Sequence, residues 1–224
     1  MLVAVVDSAT PAVTAGVALV DPTGRDAVTM LAEHRTVDPK AHGELLAPAV
    51  ARVLAAAGIA ARDLAAVVAG VGPGPFTGLR AGLALATALG QGLDIPTYGV
   101  CSLDGIGAFA RATTLVATDA RRKEVYWALY RDGARVTGPA VDRPEEVARQ
   151  AAAQWVSAAA GEGAMRYAQV LGVPVFEPMY PSVRALVERA APRIRLQTKS
   201  EALVPLYLRR PDAAVPHAPK AVLP

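Results

Sequence analysis

The stretch Gly72-Pro73-Gly74-Pro75-Phe76-Thr77-Gly78-Leu79-Arg80 holds the residue types best suited to chemistry in this 224-residue chain. Two glycines and two prolines in four consecutive positions make a rigid turn with special backbone angles. The apolar run Leu64 to Gly70 before it reads as a buried strand, and the Ala/Leu/Gly-rich segment after it reads as a helix to Leu93. Pro75 suits a helix start, where its missing N–H has no intrahelical partner. The free N–H groups of the first turn, with Thr77, can receive an anion or a partner loop. A tight corner with no ligand satisfies the same spacing.

Other chemistries find less support. The three histidines, His34, His42 and His217, include no pair at i, i+4 spacing, so no helical metal site is expected. The single cysteine, Cys101, excludes an internal disulfide and reads as an inert core thiol at a strand end. No Ser/His/Asp set can be assembled. The N-terminus lacks a basic start and its apolar run ends at Asp7, unlike a secretory leader. Arg52, Arg80 and Asp94 interrupt the longest apolar stretches, so no membrane-spanning helix is expected and a cytoplasmic location is.

The elements that must position these residues follow from periodicity. Leu2 to Val6 and Thr14 to Val20 read as strands, and a third follows near Ala27 to Glu33, making a meander. A helix is expected from His42 to Ala57, ended by Gly58, with Leu45, Leu46, Val50, Val53 and Leu54 as its apolar face. On the helix after the proline-rich turn, Gly78, Gly82, Ala86 and Gly90 recur every four residues, a stripe along which another backbone can approach closely. Thr97 to Val100 reads as a short strand, and Ser102 as the N-cap of a helix to Arg111. Thr114 to Thr118, the turn Asp119 to Lys123 and Glu124 to Tyr130 repeat the opening pattern. Asp132-Gly133 is a turn, Asp142 to Glu146 a helix start, and Trp155 to Ala160 a strand. Helices near Met165 to Leu171 and Ser182 to Ala191 close the ordered part, and the proline-rich stretch after Arg210, with four prolines and little periodicity, reads as a disordered tail.

The predicted fold class is therefore α/β, in two lobes that each begin strand, Asp-led turn, strand. Such a pseudo-repeat is what a duplicated actin-like fold (heat-shock chaperone ATPase, sugar kinase) would show, here with a reduced second lobe. The boundaries are 1–112 for the first lobe, 113–209 for the second and 210–224 for the tail. At 53% hydrophobic and 5% aromatic residues, the chain can bury a sizeable core of thin helices. The net charge is +3 and unevenly spread. The second half carries the excess, with Arg184, Arg189, Arg193, Arg195 and Lys199 close together. They read as a solvated face or as a contact for RNA or an acidic partner.

Five segments, in order, resemble the signatures of the TsaB (YeaZ) family. Gly72 to Arg80 is similar to its G-x-G-P/S-F-T-G-[LV]-R loop, and Val5 to Thr10 to its I-D-T-A/S-T opening. Ala41 to Pro48 resembles H-S-E-x-L-x-P, Asp119 to Tyr126 resembles D-A-R-x-x-E-V-Y, and Pro205 to Arg209 resembles P-x-Y-L-R. The resemblance implies a non-catalytic subunit in forming threonylcarbamoyladenosine at adenosine 37 of tRNA. It would bind the catalytic paralogue TsaD, join the ATPase TsaE in a larger complex, and form a homodimer alone. The implied interface is His42, Leu45, Leu46, Pro73, Phe76, Thr77, Gly78, Arg80, Gly82 and Ala86. The paralogue carries two histidines four apart on the helix equivalent to 42–57, whereas Leu46 follows His42 here.

An actin-like ATPase holds nucleotide between two Asp/Gly-rich hairpins and a Gly-rich adenosine loop. The corresponding residues here are Asp7, Ser8 and Thr10, then Asp119, then Gly161 and Gly163. Both hairpins lack glycine, so backbone approach to a phosphate is hindered. Turn-capping aspartates are one reading and a weak nucleotide cleft the other. No cofactor is required, with ATP or ADP admissible at the cleft or the subunit junction. A self-sufficient actin-like ATPase or kinase, and a homodimeric scaffold unrelated to tRNA, are the competing functions.

Overall fold

The computed structural model describes residues 1–24 and 28–209. The first half runs β1 (Leu2–Asp7), β2 (Ala12–Leu19), β3 (Thr29–Val37), α1 (His42–Ala57), β4 (Ala66–Gly70), α2 (Phe76–Leu93), β5 (Thr97–Val100) and the one-turn α3 (Asp104–Gly107). The second half runs β6 (Thr114–Asp119), β7 (Val125–Arg131), β8 (Ala134–Asp142), α4 (Pro144–Ala153), β9 (Ala158–Ala160), α5 (Glu162–Arg166), α6 (Ala168–Leu171), β10 (Val175–Phe176) and α7 (Val183–Arg195).

Two five-stranded sheets form, in the orders β3-β2-β1-β4-β5 and β8-β7-β6-β9-β10. In each, the first three strands pair antiparallel and the last two add in parallel to the first. The topology is thus duplicated strand for strand, as an actin-like α/β fold requires. The second copy is the smaller, since β9 has three residues and β10 two.

Period-2 alternation sorts the first sheet's side chains onto two buried faces. Val3, Val5, Val68 and Tyr98 face α7, while Ala4, Val6, Val13, Ala15 and Val17 face α1. α1 presents Leu46, Ala49, Val50 and Val53 at i, i+3, i+4, i+7. In the second sheet, Leu115, Ala117, Trp127 and Leu129 pack under Val147 of α4 and Ala164 of α5. Its other face, with Val116, Ala128 and Tyr130, packs on Cys101, Leu103 and Ile106 around α3. Burial and the neighbouring Asp104 push the Cys101 thiol up to about 11.

Tertiary packing departs from several sequence expectations. Sequence order assigns α7 to the second lobe, yet Val183, Leu186, Val187, Ala190, Ala191 and Ile194 cover the first sheet. The helix starts where Ser182 accepts from the Ala185 N–H at 3.5 Å, and runs on past Pro192 to Arg195. β3 extends to Val37, because Val37 pairs with Ala12. β8 has no counterpart in the sequence expectations; it is an exposed edge strand interrupted by Gly138-Pro139. β9 begins only at Ala158, since Trp155 adopts a positive φ of 54° and lies 89% exposed. The single helix expected over Met165 to Leu171 is two short ones, α5 and α6. The expected strand start at Ala27 and the tail 210–224 lie outside the described residues.

After α7 the chain returns as an extended strap along the free edge of β5. Thr97 N–H donates to Ser200 Oγ at 3.0 Å, Gly99 N–H to Glu201 Oε2 at 3.1 Å, and Leu206 N–H to the Val71 carbonyl at 2.8 Å. Covering an edge this way protects it from pairing with another chain. Leu186→Ala is expected to lower unfolding stability by about 2–5 kcal/mol, the usual cost of emptying a buried leucine site. Urea denaturation followed by circular dichroism would measure it; a decrease well under about 1 kcal/mol would mean α7 is not part of the first lobe's core.

Candidate functional site

The proline-rich loop between β4 and α2 meets the turn after β1, and small residues permit the approach. A Cβ at Gly74 would fall on the Ala9 backbone, and one at Gly70 on the Asp7 carboxylate. Asp7 is 1% exposed. Its Oδ2 accepts from Ser102 Oγ at 2.5 Å, and its Oδ1 from the Ala9 N–H at 3.1 Å. Ser102 Oγ in turn accepts from the Gly72 N–H at 3.2 Å. Burial raises the Asp7 pKa above its ordinary 3.8, opposed by the Ser102 and Ala9 hydrogen bonds and by the charges of Arg35 and His42. The expected helix-capping role of Ser102 is not what the fold uses: its hydroxyl is committed to Asp7, and the helix shrinks to α3.

Ser8 and Thr10 tie the same turn to the two helices. Ser8 Oγ donates to the Gly78 carbonyl at 2.8 Å, and His42 Nε2 lies 2.8 Å from the Thr10 carbonyl. Leu46, four residues on, is 2% exposed in the core. Between these elements lies a cavity of about 230 Å³, lined by Ser8, Thr10, His42, Phe76, Thr77 and Arg121 among others. It sits at the start of α2, whose Pro75 N-cap offers no side-chain cap. Unpaired N–H groups at a helix start favour negative charge.

The second lobe supplies the opposing wall. Asp119, at the end of β6 as Asp7 is of β1, lies 3.2 Å from Arg166 and 3.9 Å from Arg121. Glu162 Oε1 accepts from the Asp119 N–H at 2.8 Å. Burial, then the Asp119 carboxylate, raises Glu162 to about 7, while the Asp119 N–H and the two arginines oppose the shift. Gly161 and Gly163 stand where an adenosine loop is expected, and here they have a packing role. A Cβ on either would strike Ala117 or Thr118 backbone, so they let α5 close onto β6. Tyr126 donates across to the Gly74 carbonyl at 3.5 Å.

The strap completes the site; in the sequence its P-x-Y-L-R motif marks the family but not this position. Tyr207 stacks on Phe76 with ring centroids 5.3 Å apart, and the Arg80 guanidinium lies over the Phe76 ring, 4.3 Å from its centroid. Arg209 donates to the Ala120 carbonyl at 3.0 Å and pairs with Glu124. Arg35, which carries no motif, also belongs here; it reaches Thr14 Oγ1 at 3.4 Å and the Pro181 carbonyl at 3.1 Å.

The small-residue stripe on α2 needs correction. Gly78, Gly82, Ala86 and Gly90 are buried within this chain, where a Cβ at Gly82 would fall on Ser8 Oγ and one at Gly90 on Thr97. Leu46 and Pro73 are buried too, and Leu45 partly. Of the expected interface residues, Phe76, Thr77 and Arg80 are exposed, and His42 is half-buried. Among the described residues, no group of three or more His, Cys, Asp or Glu is placed to hold a metal ion, and no helix is long and apolar enough to cross a membrane.

Residues 36–183 match the family model described as TsaD, tRNA N6-adenosine threonylcarbamoyltransferase. A Mycobacterium tuberculosis protein of uncharacterised function is 50% identical over 93% of this chain and 92% of its own length. A Mycobacterium leprae relative is also 50% identical, over 95% of this chain, and there the match spans 56% of the relative's length. The Escherichia coli tRNA threonylcarbamoyladenosine biosynthesis protein TsaB is 35% identical over 57% of this chain and 61% of its own. YeaZ from Pseudomonas aeruginosa superposes with a TM-score of 0.74 at 27% identity, over 92% of this chain and 99% of that one. The chain belongs to the TsaB (YeaZ) family. The signature loop, the turn after β1 and the closing P-x-Y-L-R therefore meet at one place in a TsaB-type fold.

Two outcomes follow from this geometry. Gly82→Leu should unfold or strongly destabilise the chain, since overpacking against Ser8 and Val6 typically costs about 1–3 kcal/mol or more; a folded variant of unchanged melting temperature would restore the surface reading. Because the folded Asp7 pKa is raised, its contribution favours folding below about 3.8 and is lost as pH rises through the folded value. Asp7→Asn should therefore gain stability relative to the parent as pH rises above about 4, in paired urea titrations; a pH-independent difference would contradict the assignment.

Proposed function

We propose that this chain is the accessory, non-catalytic subunit in forming threonylcarbamoyladenosine at adenosine 37 of tRNA, and that it binds and activates a TsaD-type paralogue. One observation carries the reading. The chain matches the transferase family model, yet the helix position where the paralogue is expected to carry its second histidine is Leu46, packed in the core, and His42 is spent on the Thr10 carbonyl. The chain has the transferase's family likeness without its expected metal pair. The hairpins after β1 and β6 support the same reading, since their aspartates are engaged by Ser102, Arg121 and Arg166.

The face offered to the partner is the outer side of α1 and α2. Thr77, Arg80, Ala84 and Ala88 are exposed along α2, and Ala47, Ala51 and Ala55 along α1. Short side chains let partner helices approach closely. The same face would pair two copies when the partner is missing, and a TsaE-type ATPase would join the assembled complex. ATP or ADP, if held, would sit near the 230 Å³ cavity, and that cavity is what favours an independent ATPase as the second reading.

Co-expression with the same organism's TsaD-type protein should yield a stable complex, and purified chain alone should hydrolyse ATP at well under about 1 per second, low for an enzyme. Ala84→Arg should weaken the complex by about one to two decades in Kd, the equivalent of about 1–3 kcal/mol, at unchanged melting temperature. Analytical ultracentrifugation decides it. Normal association of the variant would remove this face from the interface, and sustained ATP turnover by the chain alone would establish the ATPase reading instead.

A further inference from the structure

The turn joining β6 to β7 carries three adjacent cations in an unusual backbone. Arg121, Arg122 and Lys123 have φ values of 63°, 53° and 60°, all left-handed, and all three are exposed. Side chains with a Cβ rarely occupy that region, and glycine or asparagine is the residue that relieves it. The turn is nonetheless fixed. Ala120 N–H donates to the Glu124 carbonyl and Glu124 N–H to the Arg121 carbonyl, each at 3.0 Å. Arg121 N–H donates to Asp119 Oδ1 at 3.3 Å, and the Ala120 carbonyl accepts from Arg209 at 3.0 Å. Three consecutive basic residues where glycine would fit better indicate that the turn is kept for its charge.

The local balance is positive. Asp119 faces both Arg121 and Arg166, whose side chains are 54% and 59% exposed. Glu124 is already paired with Arg209. The basic stretch on α7 is turned onto the chain itself. Arg184 donates to the Val28 carbonyl, Arg189 to that of Gly133, Arg195 to that of Asp21, and Arg193 to Glu201 and the Gly99 carbonyl. Those side chains hold α7 in place. Of the three turn cations, Arg121 lines the cleft cavity and the other two lie outside it. A single phosphate in that cavity would meet Arg121 but not Lys123, whereas a run of phosphates spaced along a strand would follow the exposed cations of the turn and Arg166.

We propose that the Arg121-Arg122-Lys123 turn, with Arg166 beside it, is a docking surface for the phosphodiester backbone of a folded RNA. The inference rests on the reading of this chain as a subunit of a tRNA-modifying complex, which supplies such a substrate. It moves the RNA contact from α7, where the sequence suggests it, to the mouth of the interlobe cleft.

The test uses a variant with Arg121, Arg122 and Lys123 all changed to Gly, because glycine accepts positive φ and preserves the turn. Binding of an unmodified tRNA transcript is measured by filter retention between about 50 and 200 mM salt, for the chain with its TsaD-type partner and for the chain alone. The slope of log affinity against log salt should fall by about 0.7–0.9 for each phosphate that the variant no longer neutralises. Affinity at the lowest salt should drop at least about tenfold, with an unchanged or higher melting temperature and unchanged association with the partner. An unaltered slope and affinity would overturn the proposal. So would weaker partner association with RNA binding intact, which would assign the turn to an acidic protein surface. If the parent chain binds no TsaD-type partner, the subunit reading fails by itself, and the comparison of parent and variant chain alone still decides whether the turn holds RNA.

Discussion

A carboxyl group buried at the end of β1 organises this molecule. Asp7 cannot be solvated where it sits, so its oxygens must be met by protein groups. Ser102 and the Ala9 N–H meet them, and Ser102 also takes the Gly72 N–H. One hydroxyl thereby fastens three segments: the turn after β1, the loop after β4 and the chain leaving β5. The loop can come that close because Gly70 and Gly74 carry no Cβ there. The start of α2, with Phe76, Thr77 and Arg80 exposed, is positioned by this junction.

The second lobe repeats the arrangement with different chemistry. Asp119 ends β6 as Asp7 ends β1, but its carboxylate meets arginines rather than a serine. Burial pushes Asp7 toward protonation, against the hydrogen bonds from Ser102 and the Ala9 N–H. The duplicated topology has thus diverged into a neutralising wall and a basic wall on either side of one cleft. α7 packs on the first sheet and the chain around α3 on the second, and the two helices meet where Gly105 approaches Leu186. The strap then binds the signature loop to the β6–β7 turn through Leu206, Tyr207 and Arg209.

The polar groups around the turns after β1 and β6 are engaged by contacts within the chain. Ser8 is used on Gly78, Glu162 on the Asp119 N–H, and His42 on Thr10. Satisfying buried polar groups internally gains stability. Exposed surface includes the small side chains along α1 and α2 and the basic turn after β6.

The strands, the main helices and the family were legible in the sequence because their signals are local. Apolar runs bounded by turns marked β1, β2, β6 and β7, the 3.6-residue period marked α1 and α2, and the five motifs are contiguous words. The duplication was legible for the same reason, as two strand–Asp turn–strand units. The small-residue stripe on α2 was visible too, but not its direction. Glycines allow close approach of any backbone, and only the packed structure shows that the neighbour is Ser8 and Thr97 of the same chain. Likewise Ser102 resembles a helix cap until the fold brings it to Asp7, 95 residues away. The strap's role, the placement of α7 on the first sheet and the left-handed turn at Arg121 all depend on contacts between distant segments. Local propensity cannot encode those, because the free energy that decides them arises only when the segments meet.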